Sequence, residues 1–481
     1  MILNLKLIRM KNKIFSRIGI ILAVLILFGS CKKWIDEKIN DDPNKPKEAR
    51  LDYILPTAEA GLAYEIGGDL SRPVCQWMQQ YSGVANQALA YDNYNYTQSD
   101  VNNVWVALYS GPMEDLSYMI KKSRTDKAYY YQGIAEVLQA FAIGNVTDLF
   151  GDVPFSKAFN GENSIYSAFD TQESIYNQIF SLLDSAVIHL SANQKFPLVP
   201  GADDLIYQGD LGKWTAAAYS LKARYKLHLC KVAVSNYQDA LNAIKAGAIA
   251  DATGKSDLSF TFGDKINEWN PAYQYFVYSR PGDALMGYYF VNELVVNNDP
   301  RLTAYADTTE ADAGVPNATG ARPGEADGYA LPGSYLCSTN SPVPFITFSE
   351  IKFIEAEAYI KTGDSINAAL AFNAGVLASE FKVTGTNDLT FDNKFAKETA
   401  STISLQKIIY QKYFALYTQP EIFVDWRRTG YPILTPAAKA QTKDLQIARR
   451  YPYPTSEKNY NSVNFAPYLK ITVSDKVWWD K

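Results

Sequence analysis

Residues 349–380 read SEIKFIEAEAYIKTGDSINAALAFNAGVLASE, and this stretch decides the fold. Ser349 is placed to cap a helix whose Ile351, Ile354 and Ala358 recur on one face. Gly363 ends it in a tight turn. Asp364 then opens a second helix, with Ile366, Ala369 and Leu370 expected to point inward. Two amphipathic helices joined by a glycine turn form the unit of tetratricopeptide-like arrays, in which each pair buries its apolar face against the next.

Working outward, the same period appears in four other places. Ile134, Val137, Leu138, Phe141 and Ala142 share a face, and the run is expected to end in a loop at Asp148-Leu149-Phe150-Gly151-Asp152-Val153-Pro154. A helix starts near Thr171 with Ile175, Ile179, Leu182, Leu183 and Ala186 inward. Another starts near Trp214 with Ala218, Leu221, Tyr225 and Leu229, and Leu405, Ile408 and Tyr413 mark one more. From about 250 to 345 the chain changes character: Gly, Pro, Asp and aromatics dominate and no helical period is sustained. Long irregular segments in compact proteins are often functional. The fold class is therefore mostly α, a helix-pair scaffold with long irregular loops suited to ligand binding.

The N-terminus speaks to location. Lys11, Lys13 and Arg17 precede an apolar run from Ile18 to Phe28 of roughly 11 residues, too short for the ~20 that span a bilayer. Gly29 and Ser30 then lead to Cys31, the pattern of a lipoprotein signal of residues 1–30 with Cys31 as the lipidated first residue. The polar stretch 31–50 reads as an extended tether, and 51–481 as a single domain with the loop-rich insertion at about 250–345. Removing residues 1–30, with five Lys and Arg and no acidic residue, takes the formal charge from −5 to about −10. An acidic chain without basic runs argues against nucleic acid as a partner. Cys75, Cys230 and Cys337 are too few and too scattered for a disulfide framework or a zinc site, and Cys230 lies in an apolar helical pattern that favours a buried thiol.

Several ordered segments carry a resemblance. Trp34-Ile35-Asp36, Asp41-Asp42-Pro43-Asn44, Asp148 to Phe155, Trp214 with Ser220-Leu221-Lys222-Ala223-Arg224, and Asn298-Asp299-Pro300-Arg301-Leu302 follow one another along the chain. They are joined by Glu350 to Ala358, Asp425-Trp426-Arg427-Arg428-Thr429-Gly430-Tyr431-Pro432 and Arg449-Arg450-Tyr451-Pro452-Tyr453-Pro454. In this order they resemble the SusD/RagB family of Bacteroidetes outer-membrane lipoproteins, and Leu55-Pro56-Thr57-Ala58 is similar to its SusD-like branch. The resemblance implies four tetratricopeptide-like helix pairs, with longer loops carrying a ligand site. It also implies that the protein caps a SusC-like TonB-dependent barrel and delivers glycans, or in the RagB branch peptides, to it. Asp36-Glu37, close after Cys31, is similar to surface-export signals of this phylum, which implies an outer-membrane location facing the exterior.

Catalytic signals are weak. The two histidines, His189 and His228, lie in helical apolar patterns and read as structural, and HExxH and GxSxG are absent. No acidic pair sits in a recognisable glycosidase setting, so a binding protein is expected rather than an enzyme. No cofactor motif appears; an acidic extracellular loop leaves room for Ca²⁺, but no EF-hand spacing exists. Aromatics are the compositional outlier at 14%, with 34 Tyr against 23 Phe, and Tyr suits a surface that is apolar in body and polar at the tip. Sugars lay C–H faces on rings and need polar partners for their hydroxyls. Two segments offer that mixture. One holds Asp69, Arg72, Trp77, Tyr81, Asn86, Tyr91, Asp92, Tyr94 and Tyr96. The other holds Trp269, Asn270, Tyr273, Tyr275, Tyr278 and Arg280. The ligand-binding candidates are Trp269, Tyr273, Tyr278, Arg280, Asp69, Trp77, Tyr81 and Asn86, although Trp77 and Tyr81, four positions apart, equally fit a helix core. Alternation of Tyr273, Tyr275 and Val277 suggests an extended strand or loop there. Trp214, Trp426, Arg427 and Arg428 read as packing and ion-pairing positions.

Overall fold

The computed structural model describes residues 48–161, 166–307 and 319–480. The signal at 1–30, Cys31 and the tether as far as residue 47 lie outside the described residues. Leu51–Lys481 forms one compact unit.

The unit is built from successive helices: α1 (Leu51–Gly67), α2 (Arg72–Trp77), α3 (Asn102–Ser110), α4 (Pro112–Asp126), α5 (Tyr129–Phe150), α6 (Gln172–Leu190), α7 (Leu211–His228), α8 (Asn236–Gly247), α9 (Tyr288–Val296), α10 (Phe348–Lys361), α11 (Ser365–Thr384), α12 (Leu405–Ala415) and α13 (Glu421–Thr429). Neighbours in sequence pack in space: α4 on α5, α5 on α6, α6 on α7, α7 on α8, then α8 on α10 and α10 on α11. This is the helix-pair array expected from the 349–380 pattern.

Local signals account for several boundaries. Thr171 caps α6 by accepting from Ser174 N, Asp210 caps α7 through Lys213 N, and Asp364 caps α11 through Asn367 N at 3.0 Å. Gly363 takes φ +89° between α10 and α11, a left-handed turn that suits glycine. Three expectations are corrected. The cap of α10 is Thr347, whose Oγ1 accepts from Glu350 N at 3.2 Å, because the helix starts one turn-position before Ser349. Asp148, Leu149 and Phe150 are the last turn of α5, not loop; the break comes at Gly151, with φ +85°. Ile366 and Leu370 are 66% and 62% exposed, since α10 covers the neighbouring face of α11, where Ala369 is buried.

Helix α5 is buried along nearly its whole length, with glycines where neighbours come closest. A Cβ on Gly144 would sit 2.1 Å from the Tyr225 hydroxyl, so α5 and α7 approach to a distance only glycine permits. Strands are short and paired antiparallel in twos. β1 (Tyr81–Gly83) runs beside β3 (Ala284–Met286), and β2 (Leu258–Thr261) beside β4 (Pro342–Ile346). The β2–β4 pair joins the two ends of the irregular stretch to each other, and the β1–β3 pair ties its middle to the segment that follows α2. The stretch is not free of helix: α9 lies inside it.

Buried charges tie the array together. Arg224 of α7 donates from Nε and Nη2 to Glu350 of α10, both at 2.6 Å, and from Nη2 to the Phe345 carbonyl. Arg428 pairs with Glu357 and with Asp425, and Lys412 lies 2.7 Å from Asp425. His228 sits between Asp148 and Glu421, with Nε2 2.8 Å from Glu421 Oε1. Burial opposes its charge, but the two carboxylates win and push it up to about 9. His189 lies 2.9 Å from Glu136. Trp214 is fully buried, with Nε1 donating to Asp204. These residues hold structure. All three described cysteines are free thiols, and Cys75 and Cys230 are buried.

Candidate ligand-binding site

Asn270 organises the aromatic segment. Its Oδ1 accepts from Ala272 N and Tyr273 N, its Nδ2 donates to Ser341 O, and Pro271 follows as the first helical residue. The chain therefore coils: Pro271–Tyr273 is one α-turn and Gln274–Ser279 a π-helical turn. This corrects the extended reading of Tyr273, Tyr275 and Val277. The capping amide and Pro271 start a helix, so the three side chains radiate around an axis instead of alternating across a strand.

Coiling brings Trp269, Tyr273 and Tyr278 together. The Trp269 ring stands edge-to-face with Tyr273 at 5.2 Å and with Tyr278 at 5.6 Å. Trp269 Nε1 donates to Asp264 O, and Gln274 Nε2 donates back to Trp269 O at 2.8 Å. Tyr278 is 66% exposed, while Trp269 and Tyr273 are half-buried. The result is a braced aromatic ridge that presents ring surface to solvent. Arg280 is exposed at its end.

Behind the ridge, the end of α1 and the start of α2 supply polar groups. Arg72 lies 3.7 Å over the Tyr275 ring and pairs with Asp69 at 2.7 Å. Tyr64 donates to Gln274 Oε1. Together with Glu65 and Ser279 these residues line a cavity of about 180 Å³. Burial, reinforced by Asp69, pushes the Glu65 carboxyl up to about 7. Gly68 lets α1 end there, since a Cβ would meet Pro271 at 3.2 Å and the Tyr64 carbonyl at 2.8 Å.

Of the expected ligand residues, the structure gathers Trp269, Tyr273 and Tyr278, with Arg280 and Asp69 at the margins. Asn86 lies across the 280–283 turn, donating to Asp283 Oδ1 at 2.8 Å. Trp77 and Tyr81 are core and are corrected. Trp77 is fully buried among Tyr94, Tyr96, Phe423 and Tyr451, and its Nε1 donates to Tyr91 O. Tyr81 is 3% exposed, packed between Phe276 and Tyr417. Neither has a free ring face to offer. Tyr64 and Gln274 escaped the sequence reading, because nothing in their local pattern marks them as neighbours 210 residues apart. Among the described residues no group of three or more His, Cys, Asp or Glu is arranged to hold a metal ion. No described helix is long and apolar enough to cross a membrane.

A family model for SusD-like proteins, described as starch-binding and associating with the outer membrane, matches residues 43–454. The chain belongs to the SusD-like family. Solved structures agree on the fold of this SusD-like protein. A chitin-binding SusD homolog from Flavobacterium johnsoniae aligns with TM-score 0.76 at 22% identity, covering 90% of this chain and 98% of that one. A protein named as chitin-binding aligns with TM-score 0.75 at 21% identity, covering 90% and 100%. A SusD/RagB family protein from Bacteroides thetaiotaomicron aligns with TM-score 0.72 at 22% identity, covering 90% and 99%. No curated protein matched the sequence significantly.

Proposed function

We propose that this protein is a cell-surface lipoprotein that captures an oligosaccharide on the Trp269–Tyr273–Tyr278 ridge and passes it to a SusC-like TonB-dependent barrel. The observation that carries the reading is the ridge: three rings gathered by one braced, coiled segment, partly open to solvent, beside the Asp69–Arg72 pair. Rings give sugar C–H faces a platform, and the charged and amide groups at its margin partner hydroxyls. The family description as starch-binding, and neighbours named as chitin-binding, support a glycan over a peptide. The role is binding, without turnover. Residues 1–30 serve as the export signal, Cys31 as the lipid anchor and 31–50 as the tether of the 51–481 body, with the ridge turned to the exterior.

A glycan panel titrated against the chain from residue 32, with reducing-end release followed in the same samples, tests this. Saturable binding of one glycan class without new reducing ends is expected. Trp269→Ala should weaken it by ~1–3 kcal/mol, by analogy with other aromatic stacking losses. Binding of peptides alone, or hydrolysis of the glycan, would overturn the reading. Cys31→Ala should release the protein from the membrane fraction.

A further inference from the structure

A second cleft of about 440 Å³ shares no lining residue with the ridge or the cavity behind it. Its floor is Trp105 of α3, which is 5% exposed and whose ring lies 4.7 Å from that of Tyr109. Its lips are Tyr166 and Tyr460, 67% and 77% exposed. Tyr460 is the most exposed ring among the described residues, and Tyr166 is as open as Tyr278 of the ridge.

The walls are tied together. Asn461 Nδ2 donates both to Ser167 O and to Glu457 Oε2, each at 2.8 Å, and Asn464 Nδ2 reaches Tyr166 O at 3.3 Å. The segment bearing Tyr166 is thereby fastened to the helix Thr455–Tyr460, although about 290 residues separate them, and the cleft is preset. Polar capacity is left over. Ser456 Oγ is buried without a partner, and burial raises the pKa of the half-buried Glu457 carboxyl despite the hydrogen bonds it receives from Asn461 and Trp105. Among the described residues lining the cleft Glu457 alone is charged, and an anionic sugar would meet repulsion from it.

We propose that this cleft is a second carbohydrate subsite, taking neutral pyranose units between Tyr166 and Tyr460 with ring hydroxyls donated to Glu457. Apolar sugar faces cover the exposed rings, Trp105 closes the bottom, and an uncharged donor suits a carboxylate that burial disfavours. The inference rests on glycan as the cargo but not on the ridge as its site. Two separate contact regions would let one protein hold a long glycan at two places, raising avidity without new chemistry.

The test is calorimetric titration of the purified protein with maltohexaose, N-acetylated chitohexaose and the glucosamine hexamer. It uses the unmodified chain, Trp269→Ala, Tyr166→Ala/Tyr460→Ala, and all three changes together. For the neutral glycan that binds, Trp269→Ala should retain saturable binding. Adding the two tyrosine changes should weaken that remainder about tenfold or more, while Tyr460→Phe, which keeps the ring, should not. Circular dichroism checks folding, which loss of exposed rings should not disturb. The proposal falls if the tyrosine changes leave affinity unaltered, if Trp269→Ala alone abolishes all binding, or if the cationic glucosamine hexamer binds best. Loss through the tyrosines but not through Trp269 would uphold the cleft and overturn the ridge. No glycan binding by the unmodified chain would overturn both.

Discussion

Replacing Arg224 by Met would strand Glu350 inside the helical array. The two side chains are 4% and 0% exposed, so no water takes over when one is removed. Arg224 supplies both Glu350 oxygens and the Phe345 carbonyl at 2.6 Å. Breaking one partner of such a pair costs about 3–5 kcal/mol, and an orphaned carbonyl adds about 1 kcal/mol. A loss of about 4–6 kcal/mol at neutral pH is expected for Arg224→Met. Glu421 lies 3.7 Å from Arg224 but keeps His228 at 2.8 Å, so it is not stranded as well. Glu350→Met strands Arg224 in turn, with a similar or slightly smaller loss. The double variant Arg224→Met/Glu350→Met removes both charges and keeps comparable volume. Its loss should be only about 1–2 kcal/mol, less than either single change. Urea unfolding followed by far-ultraviolet circular dichroism, with refolding confirmed, measures all three. Acid should partly rescue Arg224→Met. Burial already favours the neutral Glu350 carboxyl against the opposing pull of Arg224, and protonation removes the stranded charge. If the double variant loses as much as the two single changes added together, charge pairing is not what Arg224 contributes, and the reasoning fails.

Other outcomes follow from the same geometry. His228 is held at about 9 in the fold against an ordinary value of 6.5, a gap worth about 3 kcal/mol. Because the folded value is raised, that stability is fully present below pH 6.5 and lost as pH rises through 9. Melting curves from pH 6 to pH 10 should show the decline, and His228→Gln should flatten it. Gly144→Ala drives a Cβ into the Tyr225 ring and should cost about 1–3 kcal/mol in denaturant midpoint, with relief from the companion change Tyr225→Leu. Leu370→Glu, on the exposed face of α11, should change stability by no more than about 0.5 kcal/mol; a larger loss would mean that this face is covered.

Much of the helical scaffold is legible locally. Apolar residues at helical spacing and side chains such as Thr171 and Asp364 that satisfy first-turn amides mark helices without reference to anything distant. What such patterns leave open is which face is covered. Ile366 and Leu370 carry the same period as Ile351 and Ile354, yet α10 shields only the side of α11 that bears Ala369.

The amino-acid sequence by itself determined the helix pairs, the family tags and the concentration of aromatics in 269–280, because each is written in neighbouring residues. Tertiary structure alone decided which aromatics face solvent. Trp77 and Trp269 sit in equally aromatic surroundings, but Trp77 is enclosed by rings from residues 423 and 451, while Trp269 stands on a turn propped by Asn270 and Gln274. The placing of Tyr166 and Tyr460 on one cleft and the burial of Arg224 against Glu350 arise in the same way. Exposure is set by what the rest of the chain packs against a residue, and partners more than a hundred positions away leave no mark in its local pattern.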